Sequence, residues 1–232
     1  MNPTIMAQEA AEAPARIREQ LAANSSTIAA IVSHINQRAL KYVYMVGRGS
    51  SDHAGVFAKY LIEIELGLPV AAAAPSIASV YNKSLQLQDA LVLVISQSGR
   101  SPDILAQVAM AKAAGALVVA LVNDESSPLA EQADQVIPLN VGAEKAVAAT
   151  KSYLATLSAL LQLVAAWSGN SQLQDAVISL PELLQRAIEL PAQLTAQSLQ
   201  GVEHLVVLGR GPGYAIAREI ARWPSATGTL PE

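Results

Sequence analysis

Ser96, Gln97, Ser98, Gly99, Arg100 and Ser101 follow directly on the apolar run Leu91-Val92-Leu93-Val94-Ile95, and Pro102-Asp103 open a helical pattern behind them. Three hydroxyls and a primary amide therefore gather at a strand-to-helix turn. The first turn of a helix adds backbone N–H groups without intrahelical partners, together with the positive end of the macrodipole. This is the donor set that an anion such as phosphate requires. Ser101 suits the N-cap, and Pro102 suits the first helical position, where its missing N–H costs nothing. A second turn of similar composition, Gly47-Arg48-Gly49-Ser50-Ser51-Asp52, follows the run Tyr42 to Val46. Its glycines let backbone approach a ligand closely. It is not a dinucleotide fingerprint, because Asp52 stands where a third glycine is needed for close helix packing. No GxxxxGK[ST] loop occurs in the chain.

These turns need a scaffold, and the apolar pattern supplies one. Helical spacing covers Thr4 to Gln20 and Ser25 to Arg38, with Asn24 or Ser25 available as a cap for the second segment. Strands are expected at Tyr42 to Val46, Val70 to Ala74, Ala90 to Ile95, Leu117 to Val122 and Val136 to Leu139. Helices are expected from the Gly47–Asp52 turn to about Leu66, with Gly67 and Pro69 ending it, and from Pro102 to Ala114. Such alternation with continuous apolar strands predicts an α/β fold: a three-layer, doubly wound, five-stranded parallel sheet. In the flavodoxin-like order 2-1-3-4-5 the first and third strands flank the topological switch point, where ligands bind, and their following loops are the two hydroxyl-rich turns.

After the fifth strand, Asn140 to Val147 read as a loop and about Ala148 to Trp167 as a long helix. Gly169-Asn170-Ser171 breaks the chain before further helix from Pro181 to Gln197, interrupted at Pro191. The stretch Gly142 to Lys151 combines a carboxylate, an ammonium and a hydroxyl near a helix start. Solvated charge is one reading of it; the other sets Glu144 over the crevice as a catalytic group acting on a proton or hydroxyl of the ligand. His53 is open to two readings as well, a general acid or base and a capping or packing residue. Leu205-Val206-Val207-Leu208-Gly209-Arg210-Gly211 repeats the pattern of Val43-Tyr44-Met45-Val46-Gly47-Arg48-Gly49, and a helical segment follows each. The expected organisation is N-terminal helices over 1–38, the α/β domain over 39–169, a helical linker over 170–200, and over 201–232 the start of a truncated second repeat ending in a loose tail from Arg222.

Composition narrows the function. The net charge is −4 and Lys and Arg form no cluster, so nucleic acid is not an expected partner. There is no cysteine and only three scattered histidines, His34, His53 and His204, so neither a disulfide nor a metal site is expected. Glu9 and Glu12 interrupt any signal-like apolar stretch, and Tyr153 to Trp167 is too short for a membrane span of roughly 20 residues. A cytoplasmic address and no membrane partner are expected. Ala/Leu-rich helix faces left without a partner domain predict a homodimer.

At GRGSSDHAG, SQSGRSPD and AEKAVAATKS the chain resembles the sugar isomerase (SIS) family, whose three binding segments these match in order. The pattern resembles the isomerase half of glucosamine-6-phosphate synthases and, more closely, SIS-type aminosugar-phosphate deaminases. The resemblance runs from the N-terminus to about Ala221. It implies an SIS fold that binds a phosphorylated sugar without a cofactor. By it, Ser50, Ser96, Gln97, Ser98 and Ser101 hold the phosphate, while Gly49, Ser51 and the backbone near Val147 touch the sugar. Ala149 stands where the synthase pattern has serine. In two-domain members the catalytic carboxylate, the ring-opening histidine and a C-terminal lysine lie in or after the second copy, beyond the part matched here. Two functions follow as alternatives: an aldose–ketose isomerase or deaminase of aminosugar phosphates, or a phosphosugar-binding module or interaction fragment without activity.

Overall fold

A computed structural model of the protein describes residues 4–146, 149–191, 194–195 and 197–226. Helix α1 spans Ile5–Asn36, followed by β1 Tyr42–Val46, α2 Ser50–Leu66, β2 Val70–Ala72 and a single turn, α3, at Ser76–Ser79. Then come β3 Ala90–Ser96, α4 Pro102–Ala113, β4 Leu117–Val122, α5 Pro128–Gln132 and β5 Gln135–Pro138. Helices α6 Lys151–Ser168, α7 Ser171–Glu189 and α8 Gly213–Ala226 complete the chain. The five strands are all parallel, in the order β2-β1-β3-β4-β5, as the apolar pattern predicts.

Every residue of β3 and β4 is buried, which explains their unbroken apolar runs: both faces of a parallel sheet are covered. Alternate residues divide between two cores. Val43, Met45, Leu91, Leu93, Ile95, Val119 and Leu121 pack with residues of α1, α2 and α6. Tyr44, Val46, Val92, Val94, Val118, Ala120 and Val122 pack with Ile104, Val108 and Ala111 of α4 and with Leu129. The period-two alternation of a strand is thus what builds the three layers.

The N-terminal segment differs from expectation. It is one helix, capped by Thr4, whose hydroxyl accepts from the Ala7 amide. Asn24 caps nothing: its amide donates to the Pro138 carbonyl, and Gln20 donates to the Leu139 and Ala155 carbonyls. These amides satisfy carbonyls at the end of β5, just after it and in α6, so the polar residues that suggest a break are tertiary contacts. Helix α7 begins earlier than Pro181, because the Asn170 side chain accepts from the Gln172 and Leu173 amides and starts it there. The copy of the β1 pattern forms no strand, and Leu205, Val206 and Leu208 are 50%, 79% and 88% exposed. Arg222 to Ala226 continue α8 where a loose tail is expected; the residues after Ala226 lie outside the described set.

Two ion pairs tie helices to their neighbours and set an acid limit. Glu63 accepts from Lys59 and from the Val70 amide, and its carboxyl is held below its ordinary 4.5, first by the lysine and then by that amide. Glu12 is lowered likewise by Lys151. A lowered carboxyl stabilises the fold above its unfolded value, and that contribution is lost as pH falls through the folded value. Stability is therefore expected to be flat above about pH 5 and to decline below about 4.5. Glu63→Gln removes about 0.5 kcal/mol of the neutral-pH stability, the small value reflecting solvent screening of a partly exposed pair. Urea titrations at pH 7 and pH 4 measure both effects.

Candidate functional site

The two hydroxyl-rich turns lie side by side, because β1 and β3 are hydrogen-bonded neighbours in parallel register, with Val46 opposite Val94. Adjacent strands sit about 4.8 Å apart, so the turns that follow them form the two walls of one crevice at the point where strand order reverses.

On the β3 side, Ser96 is 8% exposed and its Oγ accepts from the Gly99 amide at 3.1 Å. That bond uses a lone pair and leaves the hydroxyl proton available. Gln97 and Ser98 are exposed, and Ser101 sits at the N-cap of α4 without a side-chain capping bond. The side chains of Gln97, Ser98 and Ser101 meet no hydrogen-bond partner among the described residues. Helix α4 begins with Pro102, so its N-terminus opens on these donors. Gly99 takes φ +64°, which turns the chain so that Ser98 and Ser101 flank the helix start.

On the β1 side, Gly49 takes φ +58° ahead of α2. Ser51 donates its backbone N–H to the Arg48 carbonyl, and its hydroxyl likewise meets no partner among the described residues. Ser50 is fully engaged: its Oγ lies 2.7 Å from Glu219 Oε1 and 2.8 Å from Arg222 Nη1. Both partners come from α8, which packs on α2. The other oxygen of Glu219 lies 2.7 Å from His53 Nδ1, and Arg218 pairs with Asp52 at 3.1 Å. Glu219 is 5% exposed and His53 9%, so His53 is a buried residue hydrogen-bonded to a buried carboxylate. Burial raises the Tyr153 phenol, with the nearby Glu219 charge adding and Arg218 opposing; its hydroxyl donates to the Ala215 carbonyl.

Guanidinium–carboxylate pairs brace the crevice. Arg48 reaches Asp103 at 2.8 Å and so spans from the β1 turn to α4. Arg100 reaches Asp124 at 2.7 Å and ties the β3 turn to the loop after β4. The Asp124 carboxyl is lowered, first by the Ser126 hydroxyl and then by Arg100.

Glu144 lies at the start of α6. Its Oε1 accepts from the Thr150, Lys151 and Ser152 amides at 2.7, 2.9 and 3.5 Å, and its Oε2 accepts from the Ser152 hydroxyl at 2.6 Å. Both oxygens accept hydrogen bonds from the helix start. Neighbouring backbone is fastened from α1, where the buried Glu9 accepts from the Lys145 and Ala146 amides and Glu12 pairs with Lys151. Val147, expected at the sugar, lies outside the described residues.

Sequence spacing could not bring α8 here, since Glu219 and Arg222 stand more than 160 residues beyond Ser50. The repeat of the Gly-Arg-Gly pattern before α8 is the one signal that relates the two segments. Among the described residues no group of three or more His, Asp or Glu could hold a metal, and no helix is long and apolar enough to cross a membrane. A cleft of about 400 Å³ lined by His34, Gln37, Arg38, Leu117, Asp134 and Gln135 opens at the N-terminal ends of β4 and β5, away from the crevice.

A doubly wound parallel sheet with two hydroxyl-rich turns at its switch point defines the α/β class of this protein. The chain belongs to the SIS domain family, whose model matches residues 38–166, more than half of it. It is 34% identical, over 92% of its length, to the glutamine–fructose-6-phosphate aminotransferase [isomerizing] of Symbiobacterium thermophilum, and covers 38% of that protein. A candidate phosphosugar isomerase of Silicibacter pomeroyi superposes with a TM-score of 0.88 at 39% identity, covering 92% of this chain and 65% of its own. The glucosamine-6-phosphate deaminase of Thermotoga maritima shares the fold, with a TM-score of 0.62 at 20% identity over 87% of this chain and 64% of its own. The chain thus spans less than two fifths of the length of the aminotransferase.

Proposed function

We propose that the protein binds the phosphate of an aminosugar or hexose 6-phosphate in the crevice between the β1 and β3 turns, within aminosugar phosphate metabolism. The observation that carries this is the set of hydroxyl and amide donors without a partner among the described residues: Gln97, Ser98 and Ser101 ahead of α4, and Ser51 in the first turn of α2. Buried Ser96 adds its hydroxyl from the end of β3. Family membership and the names of the relatives support the same ligand class. Gly49 brings backbone to the sugar. The domain division at 1–38, 39–169, 170–200 and 201–232 is proposed with it, and a cytoplasmic location suits a protein working on metabolic sugar phosphates.

Binding is the primary activity of this reading. Glu144 is assigned to holding the third segment, because all its hydrogen bonds go to the start of α6. That engagement favours the binding-module alternative over isomerase or deaminase chemistry performed by Glu144. Calorimetry with glucosamine 6-phosphate and fructose 6-phosphate tests the reading. Ser98→Ala is expected to weaken binding by about tenfold, the worth of one hydrogen bond to a charged group; equal binding by both proteins rejects the cradle. Release of ammonia or fructose 6-phosphate from glucosamine 6-phosphate by the same protein restores the enzymatic reading.

A homodimer is proposed on the exposed apolar side chains of Ile178, Val206 and Leu208, which are 73%, 79% and 88% exposed. Sedimentation velocity is expected to show a dimer at micromolar concentration; a monomer throughout rejects it.

A further inference from the structure

We infer that Arg48 meets the phosphate across the crevice, with Asp103 holding its guanidinium at the start of α4; this rests on the phosphosugar reading above. Arg48 stands in the β1 turn, between Gly47 and Gly49, and its Nη1 donates to Asp103 Oδ2 at 2.8 Å. Asp103 follows Pro102 in the first turn of α4, close behind the N-cap Ser101. The arginine side chain therefore leaves one wall of the crevice and ends at the helix start that forms the other. Its charged end stands beside the donors of Ser98 and Ser101. Arg100 runs the opposite way, reaching Asp124 in the loop after β4, on the far side of β3 from β1.

Stability does not account for this bridge. The Arg48 side chain is 66% exposed, and ion pairs so placed contribute little to a fold. Its effect is on charge. Asp103 is acidic and sits in the first turn of α4, so an anion drawn to that helix start meets a like charge there. A guanidinium held against the carboxylate turns that repulsion into a contact that both anions share. One carboxylate does not exhaust it: Arg48 reaches Asp103 through Nη1, and a guanidinium carries five N–H donors in one plane. That plane matches the oxygens of a phosphate two at a time and keeps its charge at every working pH. Ser96, Gln97, Ser98 and Ser101 offer neutral donors. Arg48 adds a positive charge, which a chain of net charge −4 must place locally to hold an anion.

The two partners of the bridge give a test with opposite signs. Dissociation constants for inorganic phosphate and glucosamine 6-phosphate are compared for the wild type, Arg48→Gln, Arg48→Lys, Asp103→Asn and Ser98→Ala, with thermal melts to confirm folding. Arg48→Gln is expected to weaken both ligands by about tenfold and to flatten the salt dependence of binding. Arg48→Lys falls between, keeping the charge but not the fork. Asp103→Asn is expected to tighten binding by a few fold, because it removes a like charge and leaves the guanidinium to the ligand. An arginine that only braces the two walls behaves otherwise, since either substitution breaks the same bridge. Weaker binding in both Arg48→Gln and Asp103→Asn therefore overturns the inference, as does unchanged affinity in Arg48→Gln. In either case a loss in Ser98→Ala leaves the phosphosugar reading standing. If the wild type binds neither ligand, both readings fall together. Should Asp103→Asn not fold, the salt dependence decides: a shallower slope in Arg48→Gln supports the contact, and a slope equal to that of the wild type overturns it.

Discussion

A Gly99→Val variant is expected to lose measurable sugar-phosphate binding and to melt about 5–15 °C below the wild type. The reason lies in how tightly the β3 turn is seated. Gly99 has φ +64°, and a Cβ there would stand 2.2 Å from Ser127 Oγ, 2.6 Å from Ser127 Cβ and 3.0 Å from a Val122 methyl. Ser127 is fully buried and caps α5, so it cannot swing aside. The Gly99 amide donates to Ser96 and its carbonyl accepts from Leu129, so a shift of this residue drags the cradle with it. Left-handed backbone costs a branched residue about 1–2 kcal/mol and overpacking about 1–3 kcal/mol more, together roughly 2–5 kcal/mol. Gly67→Ala is the control: its φ is +66°, but nothing lies within 4 Å of its Cβ. It should show the conformational cost alone and bind as the wild type does. Circular dichroism melts with calorimetry on the two variants separate strain from loss of the site.

Glu144→Ala is expected to cost about 2–5 kcal/mol, because the buried amides at the start of α6 and the Ser152 hydroxyl lose their acceptor together. Thr150, Lys151 and Ser152 are each less than 5% exposed, so water does not easily replace the carboxylate. Glu144→Gln keeps one oxygen and the side-chain shape, and should lose less. A base that abstracts a ligand proton would behave otherwise: its glutamine variant would keep stability and binding and lose all turnover. Chemical denaturation of the two variants, followed by ligand titration, distinguishes a cap from a base.

The sheet was open to sequence reading because burial on both faces leaves unbroken apolar runs at β3 and β4, and because Gly67, Gly99 and Gly169 mark turns by their positive φ. The adjacency of the two hydroxyl-rich turns followed from strand order alone. What escaped was decided by tertiary contact. Asn24 has the composition of a helix cap, yet the Pro138 carbonyl claims it; Pro181 resembles a helix start, yet Asn170 supplies the cap eleven residues earlier. Glu144 has the type and neighbourhood of an acid–base residue, and only its donors reveal the capping arrangement. The segment Leu205 to Leu208 carries strand-forming residues, but a strand needs a neighbour to pair with, and none stands beside it among the described residues. Ser50 is the clearest case: its position was legible, but the direction of its hydroxyl depends on a carboxylate far along the chain.

The central claim is that an anionic sugar enters between the β1 and β3 turns. Titration of isotopically labelled protein with glucosamine 6-phosphate, followed by backbone amide shifts, tests it most directly. The largest saturating shifts are expected in residues 47–52 and 96–103, and glucosamine without its phosphate is expected to leave them unmoved. Shifts confined to another surface, such as the cleft of His34, Arg38 and Gln135, or an equal response to both sugars, would contradict it.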